Sequence, residues 1–175
     1  MKEFLRKTYW LYLVALIIVI LDQVTKWLVV THIPYGEMWS PWEWLTPFAR
    51  IVHWSNTGVA FGMLQGMNPV FIGLAAVVSG MIVYYYPKLD RMDWLLKLAL
   101  MMELGGAVGN LVDRIRYGFV IDFISVGNFP VFNVADSCIT VGVFVLLIGI
   151  WMQEKREKAQ RAETAQRQST DENVN

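Results

Sequence analysis

Apolar residues run unbroken through positions 10–21 and resume to Val30, interrupted by Asp22, Gln23 and Lys26. Similar stretches cover 69–86 with no charge, 94–112 with Lys97 and Glu103, and 136–152 with no charge after Asp136. A helix needs about 20 mostly apolar residues to cross roughly 30 Å of hydrocarbon. The pattern predicts an all-α membrane protein with four transmembrane helices, at about 9–30, 69–86, 94–112 and 136–152.

Two long loops, 31–68 and 113–135, join these spans on one side. The first is rich in tryptophan and punctuated by Pro34, Pro41 and Pro47. Within it, 50–61 carries Ile51, Val52, Trp54, Val59 and Phe61 around Gly58, which predicts short strands at the membrane interface. A strand there must leave the hydrocarbon or pair its backbone, because lipid offers no hydrogen bonds. The expected architecture is therefore four helices with a small extracytoplasmic β element and a loop or helix lid. Residues 1–152 form a single domain in this reading, and 153–175 a charged cytoplasmic tail. Ten of those last 23 residues are charged and none is aromatic, so the tail cannot build a core and reads as a solvated helix extension fraying into disorder.

Composition narrows the class. Of 175 residues, 55% are apolar and 17% charged, against roughly 25% charged in a soluble domain. Cys138 is the only cysteine, which excludes a disulfide scaffold. One Cys and two His make a zinc site a poor fit, and neither metal nor cofactor is expected. Formal net charge is 0, so no general attraction to nucleic acid is implied.

Lys2, Arg6 and Lys7 before an apolar run resemble a cleavable signal peptide, but Asp22-Gln-Val-Thr-Lys26-Trp27 follows rather than a small-residue cleavage site. The run reads as a span. Lys and Arg gather on the side of both termini and the 87–93 loop (Lys88, Arg91, Lys155, Arg156, Lys158), while Arg50, Arg114 and Arg116 stand on the other. The positive-inside bias predicts cytoplasmic termini and long loops outside. Trp10, Trp94 and Trp151 then mark cytoplasmic span ends, and Trp27, Trp39, Trp42, Trp44 and Trp54 the outer face.

Polar residues at membrane depth cost a few kcal/mol or more and need a partner or a purpose. Asp22 lies roughly 12 Å inside the outer end of the first span at about 1.5 Å per residue, with Lys26 one turn away as an i,i+4 partner. Asp113 stands beside Arg114 and Arg116, where local neutralisation is easy. Asp122, in Phe-Val-Ile-Asp-Phe-Ile, and Asp136, in Phe-Asn-Val-Ala-Asp-Ser, have no basic neighbour in sequence. Both fall at the outer boundary and are candidates to share one proton, since close like charges cannot both ionise. Such a pair can activate water and protonate a leaving amine. The plainer readings are a helix N-cap for Asp136 and a loop acid for Asp122. Gly105 and Gly109 form a GxxxG packing pattern. Asn110 and Arg114 share one helix face and could orient a carboxylate or substrate carbonyl, as could Asn56 and Asn133, for which a turn role is the alternative.

Together these stretches resemble the bacterial lipoprotein signal peptidase family (signal peptidase II). The resemblance rests on Asp22-Gln-Val-Thr-Lys26, Asn56-Thr-Gly-Val-Ala-Phe61, Gly105-Gly-Ala-Val-Gly-Asn110-Leu-Val-Asp-Arg114, Val120-Ile-Asp122-Phe and Phe132-Asn133-Val-Ala-Asp136, in order over about residues 10–152. It implies an intramembrane aspartic endopeptidase of the bacterial inner membrane, acting on diacylglyceryl-modified prolipoproteins on the amino side of the lipid-modified cysteine. It implies catalytic roles for Asp122 and Asp136 and supporting roles for Asp22, Lys26, Asn56, Asn110, Arg114 and Asn133. Membrane lipids are the other expected partners, and the chain is expected to be a monomer. Glu103 departs from the family pattern and lacks an evident partner. The alternatives are a small ion or proton transporter using Asp22, Glu103 and Lys26, a helix-binding assembly factor, and a carboxylate metal hydrolase.

Overall fold

The computed structural model describes residues 2–58, 66–90 and 93–172. Four helices are each long and apolar enough to cross a membrane: α1 (Lys2–His32), α2 (Asn68–Tyr85), α3 (Trp94–Tyr117) and α4 (Val134–Glu172). Val59 and Phe61 of the expected interfacial strands, and Arg91 of the charge bias, lie outside the described residues.

The surface has the inverted polarity that lipid permits. On α2, Val70, Leu74, Val77, Met81 and Tyr84 recur at alternating steps of four and three and are all exposed. In water such a stripe would seek a core, whereas against hydrocarbon it needs none. The buried cluster of Leu11, Ala15, Ile82, Tyr86 and Leu104 instead ties α1, α2 and α3 together.

Helix α3 packs against all three others, and its glycines let it do so. A Cβ on Gly105 would stand 2.7 Å from Ile18 Cβ of α1, and one on Gly106 would stand 2.6 Å from the Ala135 carbonyl of α4. A Cβ on Gly109 would meet the Asp22 carboxylate at 2.8 Å. The GxxxG pattern thus serves the α1 contact, and Gly106 between its two glycines serves α4. Helix α3 ends at Gly118, whose φ of +81° suits a left-handed C-cap, and the chain leaves directly into a strand.

At that end of the bundle sits a three-stranded antiparallel sheet, ordered β1 (Met38–Trp39), β2 (Ala49–Asn56), β3 (Val120–Val126). Asp122 pairs with Trp54 and Val120 with Asn56, with a register shift between Ile51 and Trp54. The segment expected to be loop from 113 to 135 is therefore the last turn of α3, a sheet strand and a short return to α4. After Gly127 the chain comes back so that Phe132 bridges Ile124, which leaves residue 133 beside β3 at the start of α4.

The tail continues α4 as helix to Glu172, with Glu154–Lys158 at 2.5 Å and Glu157–Arg161 at 3.8 Å along its exposed side. These i,i+4 pairs suit a helix with no apolar face to bury.

Candidate active site

The most deeply buried charges lie where α1, α3 and α4 meet. Lys26 is 2% exposed, and its ammonium lies 2.8 Å from both Asp22 and Asp113, themselves 0% and 1% exposed. Its third partner is the Asn110 side-chain carbonyl, at 3.2 Å. The expected i,i+4 pair is present. Asp113 is a correction, because its counter-ion is Lys26 across the helix interface rather than its sequence neighbours Arg114 and Arg116. Gln23 donates to Asp113 at 2.9 Å, and the Ile121 backbone N–H donates to its other oxygen at 3.1 Å. Asp22 in turn accepts the Ala135 N–H at 3.0 Å. The cluster therefore holds the start of α4 and the residue preceding Asp122 against the same point.

From Lys26 the network runs outward through two asparagines. Asn110 donates to Asp136 at 2.7 Å and accepts from Asn133 at 3.1 Å. The Asn133 amide also donates to Asp122 at 2.7 Å. Asn56, at the end of β2, donates to the other Asp122 oxygen at 2.9 Å, while its own oxygen accepts the Gly58 N–H at 3.0 Å. The expected N-cap role for Asp136 falls three residues earlier: α4 starts at Val134, so Asn133 precedes its first residue. Asn133 Oδ1 accepts the Asp136 N–H at 2.9 Å, and Asp136 Oδ2 accepts the Asn133 N–H at 3.2 Å. This is a reciprocal capping box.

Asp122 and Asp136 both line a cavity of about 490 Å³, together with Asn56, Asn110 and Arg114. The Arg114 guanidinium donates to the Gly58 carbonyl at 3.3 Å and stands 5.0 Å over the Phe71 ring. Apolar walls come from the chain between β3 and α4 and from α4 itself, where Ser137 and Thr140 add hydroxyl groups. Asp22 and Lys26 do not line this cavity; they support it from behind. Asp122 is 1% exposed, and burial foremost, then the negative charge of Asp136, push its carboxyl up to about 7. Hydrogen bonds from Asn56 and Asn133 act the other way.

All eight residues singled out from the sequence thus meet in one neighbourhood. Gln23 and Asp113 were not among them, although Gln23 stands inside the first polar block and Asp113 beside Arg114. Their signal was present, but the partner of each lies some ninety residues away or on another helix. Glu103 still lacks a partner, since its buried Oε1 makes no hydrogen bond, and it lies against Gly142 of α4. Among the described residues no group of three or more His, Cys, Asp or Glu side chains is placed to hold a metal ion.

Comparison with known proteins points one way. A family model described as signal peptidase (SPase) II matches residues 14–152. A lipoprotein signal peptidase of Shouchella clausii is 43% identical over 148 residues, covering 84% of this chain and 96% of the relative. Another, from Halalkalibacterium halodurans, is 41% identical over 154 residues, covering 86% and 97%. A solved structure of a bacterial membrane enzyme, obtained by the in meso method, superimposes with a TM-score of 0.76 at 31% identity, covering 83% of this chain and 90% of the other. The transporter alternative finds no support in these relatives.

Proposed function

This chain belongs to the signal peptidase II family, the lipoprotein signal peptidases that cleave signal peptides from prolipoproteins, and from that premise we propose that it works as an aspartic endopeptidase with Asp122 and Asp136 as the catalytic pair. The observation that carries this reading is Asn133, whose side chain holds Asp122 and whose backbone N–H holds Asp136 on the wall of one cavity.

The environments assign different tasks to the two acids. Asp122, with its carboxyl near 7, holds the shared proton at neutral pH. Asp136 sits in the first turn of α4, where the backbone N–H of Asn133 and the helix dipole favour a carboxylate. The pair titrates as a unit, so these are the dominant forms and not fixed identities. Ionised Asp136 takes a proton from water as the water oxygen attacks the scissile carbonyl carbon. Asp122 gives its proton to the carbonyl oxygen, forming a neutral tetrahedral diol. On collapse, the diol returns a proton to Asp122, the C–N bond breaks, and Asp136 passes its proton to the departing nitrogen. The pair ends with one proton, as it began.

Arg114 and Asn56 line the same cavity, and their side-chain N–H groups suit aligning a peptide carbonyl there. The substrate in this reading is a diacylglyceryl-modified prolipoprotein, cut on the amino side of the modified cysteine. The apolar lining suits lipid chains beside a peptide. The Lys/Arg bias of the sequence supports cytoplasmic termini in a bacterial inner membrane, with the sheet end at the outer face and the Trp-rich segment over the lipid-modified residue.

The direct test is cleavage of a diacylglyceryl-modified precursor followed by gel shift. Asp122→Asn and Asp136→Asn should each abolish product while the protein stays folded in the membrane. Full turnover by either variant removes it from the catalytic pair.

A further inference from the structure

Behind the strand that carries Asp122 lies a second cavity of about 250 Å³, which shares no lining residue with the first. Its floor is the buried ion cluster, and that floor is saturated. The Lys26 ammonium has three donors and three partners, Asp22, Asp113 and Asn110. Asp113 is likewise engaged by Lys26, Gln23 and the Ile121 N–H. Recognition of a ligand therefore falls to the polar groups outside that cluster, Arg116, His53 and the Tyr117 hydroxyl.

Arg116 is exposed, has no carboxylate within ion-pair distance among the described residues, and stands 5.2 Å over the Tyr117 ring. His53 Nδ1 lies 2.8 Å from the Ile33 carbonyl. A carbonyl only accepts, so Nδ1 carries the hydrogen, which in the neutral tautomer leaves Nε2 with a lone pair to offer. The cavity thus presents the Arg116 cation for an anion and His53 Nε2 as an acceptor for a hydroxyl, beside the Tyr117 hydroxyl. It is smaller than the roughly 300 Å³ lower bound for whole drug-sized ligands, which suits a headgroup. Trp27, on its wall, is exposed and continues an exposed stripe down α1 through Val24, Ile20 and Ile17. An acyl chain entering from this cavity would lie along that stripe.

We propose that this cavity binds the headgroup of an anionic glycerophospholipid bearing a free hydroxyl, with phosphatidylglycerol as the simplest case. Arg116 takes the phosphodiester, His53 Nε2 accepts the headgroup hydroxyl, and the acyl chains descend the α1 stripe. The site is separate from the cavity that holds the catalytic pair, and one of its lining residues is Ile121, which precedes Asp122.

Native mass spectrometry of the full chain in detergent, without substrate, tests it with phosphatidylglycerol, phosphatidylcholine and phosphatidylmethanol of matched acyl chains. Phosphatidylglycerol should bind about tenfold tighter than phosphatidylcholine, and Arg116→Gln should remove that margin. Arg116→Lys should keep most of it, which covers the case in which the neutral variant fails to fold. His53→Phe should erase the preference for phosphatidylglycerol over phosphatidylmethanol, which lacks the hydroxyl. Arg50→Gln, on β2 but outside the cavity, should change nothing. Equal binding of the lipids, an unchanged margin in Arg116→Gln, or the same loss in Arg50→Gln would overturn the assignment. Displacement of the lipid by millimolar inorganic phosphate would assign the site to a free anion and overturn the lipid reading.

Discussion

Asn133 and Asp136 hold each other across the first turn of α4, each accepting the other's backbone N–H, at 2.9 and 3.2 Å. The same Asn133 reaches Asp122 at 2.7 Å. One residue thus starts a helix and joins two carboxylates that belong to different elements.

Two substitutions separate these roles. Asn133→Ala should lose about 1 kcal/mol of stability with the cap and roughly a hundredfold in kcat with the donor to Asp122. Asn133→Ser keeps a capping oxygen but cannot reach both partners, so it should recover the melting temperature and leave kcat low. Recovery of both by serine would show that Asn133 acts only as a cap.

The raised Asp122 carboxyl sets a pH limit. If the pair must carry one proton, activity is lost as pH rises through about 7, where Asp122 gives its proton up. The decline in kcat/KM should approach about tenfold per pH unit on that limb. Asn56 hydrogen-bonds the ionised form and lowers the value, so Asn56→Ala should move the alkaline limb to higher pH. A shift to lower pH would contradict the arrangement.

Lys26 holds two buried carboxylates at once. Removing the ammonium in Lys26→Met leaves both without their cation, and a loss of about 3–5 kcal/mol is expected. Thermal denaturation in detergent measures it. The double variant Lys26→Met with Asp22→Asn should regain part of the loss, because one uncompensated charge is gone.

Gly106 tests how tightly α4 must sit. A Cβ there meets the Ala135 backbone carbonyl and Ile139 Cγ1, both at 2.6 Å, and backbone cannot yield as a flexible side chain does. Gly106→Ala should cost about 1–3 kcal/mol and lower kcat, since α4 carries Asp136. Gly80→Ala, with open space around it, should do neither.

Glu103 is the reverse case. Its buried Oε1 has no hydrogen-bond partner, so Glu103→Leu, similar in volume and apolar, should raise stability by about 1–2 kcal/mol. Cleavage of the lipid-modified precursor should be unchanged, because Glu103 lines neither cavity.

Four spans were legible along the chain because hydrocarbon thickness imposes a length and a composition that local sequence carries by itself. The polar blocks within the spans were legible for a related reason: Asp22, Lys26, Asn110 and Asp136 stand out wherever polarity is costly. What remained hidden was pairing. Val120-Ile-Asp-Phe-Ile-Ser-Val126 has strand-forming residues, yet only its ladder with β2 makes it β3 rather than loop. Asp113 looked neutralised by its neighbours until helix packing brought Lys26 to it. Asn133 displaced Asp136 as the cap because the Phe132–Ile124 bridge decides where α4 begins. Polarity is a property of residues and is written in the sequence; a hydrogen bond between elements depends on relative position, which only the closed fold supplies.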